Sequence, residues 1–185
     1  MTNHTDDVVV LVDDSGNPTG TAPRATVHTT DTPLHLAFST FLFGPDNRLL
    51  MTRRALSKVT WPGVWTNSAC GHRRPQESPV DAAMRRLIDE LGCAPSGLKV
   101  VVPDFRYRAV DASGIVENEF CPVMVGRIDP AALRPNPEEI AELTWLPWET
   151  VVQIAETAPE LISPWAVSEI AEIIQLGIHP LDLLD

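Results

Sequence analysis

Apolar positions along the chain follow two periods. Continuous or alternating apolar runs predict strands over VVVLVD (8–13), LHLAFSTFLF (34–43) and RLLMTRR (48–54). GPDN (44–47) turns the second run into the third as a hairpin, and DDSGNPTG (13–20) reads as turns. ALSKVTWPGVWTNSACGH (55–72) reads as a loop followed by a short strand. KVVVPDFRYRAV (99–110), a turn at DASG and IVENEFCPVMVGR (115–127) predict a second hairpin, and LTWLPW (143–148) a further strand. One helix has strong start signals, with Ser78 as N-cap, Pro79 at N1 and Asp81 at N3. Val80, Ala83, Met84, Leu87 and Leu91 form its apolar stripe, and Gly92 ends it. ETVVQIAE, and WAVSEIAEIIQLG opened by Ser163-Pro164, give two C-terminal helices within 148–185. A mostly β centre with a few helices predicts one α/β (α+β) domain spanning 1–185, its first 20 residues a strand and turn.

Composition narrows the class. The hydrophobic fraction of 44% is ordinary for a soluble domain, and no apolar run approaches the ~20 residues of a membrane span. MTNHTDDVVV lacks the basic start and apolar segment of a signal peptide, so the expected location is the cytoplasm, without membrane insertion. Cys70, Cys93 and Cys121 are too few and too widely spaced for a disulfide framework and are expected to be reduced. A net charge of −11 argues against nonspecific binding to nucleic acid. The charge is uneven, however. Arg24, Arg48, Arg53, Arg54, Lys58, Arg73, Arg74, Arg85 and Arg86 face only Asp31, Asp46, Glu77 and Asp81 in the same span. A basic segment in an acidic chain fits a small anionic ligand, or a solvated face.

Histidines and acids supply candidate chemistry. His28 and His35 flank the entrance to the first long strand, and His72 follows Cys70 by two residues. Glu117 and Glu119 are two apart on a predicted strand and so share a face. Three imidazoles and two carboxylates suit a divalent ion such as Mg²⁺, Mn²⁺ or Zn²⁺, although spacing alone fits surface residues equally well. TNSACGH (66–72) reads in turn as a metal clip, a reactive thiol or a piece of buried strand.

The segment GHRRPQESPVDAAMRRLIDELGC (71–93) resembles the Nudix box, with Gly71, Glu77, Arg85, Leu87, Glu90 and Gly92 on register. Arg86 stands where Nudix hydrolases carry a glutamate, and Asp89 replaces the first glutamate of a pair. Helix geometry places Glu90 beside the apolar stripe with Arg86 one turn behind it, and turns Arg85 and Asp89 towards solvent. The Nudix branch that this pattern resembles is the type 1 isopentenyl-diphosphate isomerase family. HTTDTPLHLAFSTFLF, TRRALSKVTWPGVWTNSACGH, PDFRYRAVDASGIVENEFCPV and SPWAV are similar to blocks of that family.

The resemblance implies a mixed sheet layered between helices. It also implies a reaction that moves the double bond of a five-carbon prenyl diphosphate through a tertiary carbocation. By residue, it implies Cys70 and Glu119 as the acid–base pair, Tyr107 bonded to Glu119, and Trp165 facing the cation. It implies one divalent metal at His28, His35, His72, Glu117 and Glu119, and a diphosphate-bridging Mg²⁺ at Glu90. Arg24, Arg54, Lys58 and Arg86 match diphosphate contacts. Trp61 and Trp65 are expected to wall the pocket, Trp145 and Trp148 to anchor the core, and Arg53, Arg73, Arg74 and Arg85 to be solvated. No flavin motif is present, and the expected partner is a small prenyl diphosphate bound to a monomer. Two alternatives share these residues: an isomerase of another prenyl diphosphate, and a Nudix diphosphate hydrolase with Glu142 as water base.

Overall fold

The computed structural model describes residues 7–184, so the first six residues of the expected N-terminal segment and Asp185 lie outside the described residues. The chain forms β1 (Val8–Val12), β2 (Pro18–Pro23), β3 (His35–Phe43), β4 (Leu49–Arg54), β5 (Trp65–Thr66) and β6 (Ala69–His72). These are followed by α1 (Pro79–Leu91), β7 (Ser96–Val102), β8 (Arg106–Val110), β9 (Val116–Phe120) and β10 (Val123–Arg127). β11 (Ile140–Leu146), α2 (Trp148–Thr157) and α3 (Pro164–Gln175) complete the order. Among the described residues, no helix is long and apolar enough to cross a membrane.

β3 is the axis of the fold, and all nine of its residues are buried. One edge pairs antiparallel with β6, matching Ala37 to His72 and Ser39 to Cys70. The other edge runs parallel to β9, at His35–Glu119, and then to β10 from Ser39–Val123 to Phe43–Arg127. Because side chains alternate across a strand, β3 feeds two cores. Ala37, Phe41 and Phe43 pack with Trp148 of α2 and with Trp165 and Ile170 of α3. Phe38 and Leu42 pack with Ala83, Leu87 and Leu91 of α1. The sheet is therefore layered between helices and is mixed, as expected.

Several elements depart from the simple periodic reading. Residues 18–20 are strand and not turn: Asp13 Oδ1 closes the turn by accepting from Ser15 N and Asn17 N, and Pro18–Pro23 then lies along β1 as an exposed strand. Proline is tolerated there because, among the described residues, no strand pairs with the outer edge of β2. The β3–β4 hairpin opens after a single pair, Phe43–Leu49. β5 and β6 pass through the gap, the first against β4 and the second against β3. The second hairpin is two ladders, β7 with β10 and β8 with β9, because the proline-containing segments at 103–105 and 121–122 interrupt both arms. On α1 the buried face is Ala82, Ala83, Leu87, Glu90 and Leu91, while Val80 and Met84 are half-buried.

The ends of the helices follow their sequence signals. Ser78 Oγ accepts from Asp81 N, and Ser163 Oγ accepts from Ala166 N. Gly92 closes α1 in the left-handed region at φ 73°, its N–H bonded to Ile88 O. A Cβ there would lie 2.6 Å from Arg134 Cβ, whereas Gly97, at φ 61°, faces open space. Each alanine would carry roughly 1–2 kcal/mol of left-handed strain, and only the one at 92 adds a clash. Gly92→Ala is thus expected to lower the urea unfolding midpoint clearly more than Gly97→Ala; equal shifts would contradict the packing described.

Candidate active site

A cavity of about 510 Å³ opens beside the N-terminal half of β3 and takes residues from β6, α1, β8, β9, α3 and the loop before β3. Strand register assembles one end of it. β3 carries His35, β6 brings His72 level with Ala37, and β9 brings Glu119 level with His35. His28 enters from the preceding loop. The three imidazole centroids lie 4.9–5.3 Å apart. One ligand atom from each of His28, His35, His72 and Glu119 falls within 4.8 Å of all the others.

The donor chemistry of this group fits a divalent metal. His35 Nδ1 lies 2.9 Å from Pro33 O and donates its hydrogen there, leaving Nε2 facing the group. His28 Nε2 and His35 Nε2 are both buried with no hydrogen-bond partner among the described residues, a costly arrangement for two ring nitrogens unless something accepts their lone pairs. Burial, with His72 and His35 beside it, lowers His28 to about 4, so it is neutral at pH 7 and its lone pair is free to ligate. His72 Nε2 and His35 Nε2 stand 3.1 and 3.6 Å from Glu119 Oε1. Burial opposes ionisation of Glu119, but these histidines outweigh it and hold the carboxyl below its usual range.

Glu117 shares the strand face of Glu119 but stands outside the group of four. Its oxygens lie 2.9 Å from Thr60 Oγ1 and 2.7 Å from Tyr107 Oη. Burial and the neighbouring charge of Glu119 push its carboxyl up. Tyr107 Oη is also 3.0 Å from Glu119 Oε2, so one phenol proton serves two carboxyl groups.

Cys70 faces the same cavity. Its sulfur lies 3.3 Å from Ser39 Oγ and 3.2 Å from Asn67 Oδ1. Burial pushes the thiol well up, so it keeps its proton at neutral pH. Trp165 is only 1% exposed; its ring packs 5.9 Å from Tyr107 and edge-on at 5.3 Å from Trp61. The Arg54 guanidinium sits 5.6 Å from the indole centroid, so this ring already presents a face to a cation.

The other end of the cavity is cationic, and Arg24, Lys58, Arg86 and Arg54 each have a local partner there. Arg24 makes a two-pronged contact with Asp7 at 2.7 and 2.9 Å. Lys58 pairs with Glu139, and Arg86 pairs with Glu90 and, at 3.3 Å, with Glu139. Arg54 donates to Thr60 O and Trp61 O and so braces the loop 55–64. Burial raises the Glu90 carboxyl against the pull of Arg86.

Comparison with known proteins agrees with this geometry. The NUDIX domain family model matches residues 33–165. A curated isopentenyl-diphosphate Delta-isomerase from Cutibacterium acnes is 52% identical over 173 residues, covering 90% of this chain and 87% of that protein. One from Frankia alni is 53% identical over 178 residues, covering 95% and 90%. The chain belongs to the isopentenyl-diphosphate Delta-isomerase family. Among solved structures, DR0079 from Deinococcus radiodurans matches with a TM-score of 0.66 at 21% identity over 89% of this chain and 98% of that one. A MutT protein from Methanosarcina mazei matches with a TM-score of 0.61 at 15% identity over 78% and 96%. These two likenesses concern the fold alone.

All the site residues that the isomerase-family resemblance implies line this cavity, apart from His35, which is buried directly behind it. Other expectations need correction. Arg85 is not solvated: it grips Glu77 at 2.7 and 2.8 Å and donates to His72 O, because the loop 71–78 folds back along α1. Arg73 donates to Glu77 O, and Arg53 to Gly63 O. Of the tryptophans, Trp148 is buried as expected, whereas Trp61 and Trp65 support Trp165 and the core from outside the cavity. Glu142 is exposed on β11, paired to Arg53 and not among the residues lining the cavity. Sequence reasoning missed Glu139, Thr60, Asn67 and Ser39, whose only signal is their partners in space. If the four-residue group holds metal, His72→Ala should lower the divalent metal content of the purified protein by about one equivalent in elemental analysis; an unchanged content would dismantle the group.

Proposed function

We propose that the protein isomerises isopentenyl diphosphate to dimethylallyl diphosphate. One observation carries this: a proton-bearing thiol, Cys70, and an ionised carboxylate, Glu119, share a cavity whose other end is cationic. They arrive on strands at opposite edges of β3, so one can act as acid and the other as base on different carbons of one substrate.

The reaction follows from this placement. The Cys70 S–H delivers its proton to the terminal alkene carbon, leaving a thiolate and a tertiary carbocation. Glu119 removes a proton from the carbon on the diphosphate side, and that C–H pair becomes the new double bond. Run in reverse, the same two groups exchange roles. Trp165 and Tyr107 form the wall beside the reacting carbons; an indole face stabilises a desolvated cation by about 2 kcal/mol. Their burial also keeps away water that would quench it. Arg24, Arg54, Lys58 and Arg86 hold the diphosphate, and Arg24, Lys58 and Arg86 exchange their present carboxylate partners for phosphate oxygens. His28, His35, His72 and Glu119, with Glu117 alongside, would hold one divalent ion and Glu90 a Mg²⁺, and bound there the ions supply charge that orients Glu119 and neutralises the diphosphate.

The hydrolase alternative lacks support at the residues it needs. Arg86 places positive charge where a hydrolase carries a box carboxylate, and Glu142 is exposed and outside the cavity. Incubation with isopentenyl diphosphate and Mg²⁺ should yield dimethylallyl diphosphate, with no phosphate release from nucleoside diphosphates. Cys70→Ala should reduce kcat by about 10³-fold or more while circular dichroism stays unchanged. Nucleotide hydrolysis by the wild type, or full isomerisation by the Cys70 variant, would overturn the assignment.

A further inference from the structure

Thr60 and Ala55 are the buried residues of the loop 55–64, whose Leu56 and Val59 are 71% and 81% exposed. The Thr60 hydroxyl lies between two ionisable side chains of the cavity. Arg54 Nη2 donates to Thr60 Oγ1 at 3.2 Å, and Thr60 Oγ1 donates to Glu117 Oε1 at 2.9 Å. A guanidinium has donors only, so the hydroxyl accepts from Arg54 and gives its single proton to Glu117.

Arg54 differs in this from the other cations of the site. Arg24, Lys58 and Arg86 each pair directly with a carboxylate. Arg54 pairs directly with none among the described residues, although Glu117 is one hydroxyl away. Its hydrogen bonds among the described residues run through Nε and Nη2, to Thr60 O, Thr60 Oγ1 and Trp61 O, which leaves Nη1 for an anion in the cavity. Glu117 is held by Thr60 on Oε1 and by Tyr107 on Oε2. Opposite charges in poorly solvated surroundings attract strongly. A group must therefore stand between these two to keep them from closing, and the Thr60 hydroxyl occupies that place while bonding both.

We propose that Thr60 is a positioning residue that keeps Arg54 and Glu117 from forming a salt bridge, so that the guanidinium stays available to the diphosphate and the carboxylate to a divalent ion. Its role for substrate rests on the isomerase function proposed above.

The test compares two small changes. Thr60→Val keeps the shape and removes the hydroxyl, whereas Thr60→Ser keeps the hydroxyl and removes a methyl group. Pyrophosphate affinity, measured by isothermal titration calorimetry in Mg²⁺ buffer, should fall about fivefold or more in the valine variant and stay within about twofold in the serine variant. Glu117→Gln removes the charge that would capture Arg54. It should therefore raise pyrophosphate affinity about threefold more in the valine background than in the wild type. Unchanged affinity in the valine variant, equal loss in the serine variant, or the same gain from Glu117→Gln in both backgrounds would overturn the proposal. Mn²⁺ titrated into the full-chain protein, with the free ion followed by electron paramagnetic resonance, should also bind about fivefold more weakly in the valine variant; unchanged Mn²⁺ affinity there would overturn it as well. Neither probe requires turnover. A wild type that bound pyrophosphate but left isopentenyl diphosphate unchanged would therefore sink the isomerase reading alone, and the variants would still decide the role of Thr60.

Discussion

The site depends on hiding polar and ionisable groups inside the protein. His35, Ser39 and Thr40 are buried on the central strand, and Glu90, Glu117, Glu119 and Glu169 are buried around it. An isolated charge in such surroundings is costly, so each group must be paired, bonded or neutral. The structure uses all three solutions. Glu119 is paired with imidazoles, Glu117 is bonded by Tyr107 and Thr60, and Glu169 is driven towards its neutral form. The same surroundings hold the Cys70 proton in place. The differences in proton affinity that acid–base chemistry needs are thus consequences of burial, resolved differently at each position.

β3 makes this arrangement possible because it is paired on both edges along its length. Its apolar positions fill two cores, and its few polar positions meet partners delivered by β6 and β9 in fixed register. His35 meets Glu119, and Ser39 meets Cys70, by strand pairing alone. Loops supply what the strands cannot. Loop 55–64 brings Thr60 and Lys58, and the segment before β11 brings Glu139. Without a diphosphate, the acidic partners of Lys58 and Arg86 keep these cations in position and shield them from one another.

Much of this was legible in the sequence, for physical reasons. The caps of α1 and α3 are local, and Ser78 and Ser163 bond where their spacing says they should. The common face of Glu117 and Glu119 follows from the two-residue period of a strand. The box spacing from Glu77 to Arg85 becomes a two-pronged ion pair. What was not legible is non-local. Nothing in RLLMTRR tells that β5 and β6 will enter between it and β3. Nothing in PEEI marks Glu139 as the partner of Lys58 and Arg86. Arg85 looked solvated because helix periodicity takes no account of a loop folding over the exposed face. Nothing in AVSEIAE marks Glu169 as a buried carboxyl.

The proposed reaction requires protein groups to protonate and deprotonate carbon at two different positions. Proton NMR of isopentenyl diphosphate turned over in D₂O tests this directly. Dimethylallyl diphosphate carrying deuterium in the methyl group formed from the terminal alkene carbon, with a single proton remaining on the carbon next to the diphosphate-bearing one, is the predicted result. Product formed without solvent deuterium in that methyl would contradict proton delivery by an exchangeable thiol.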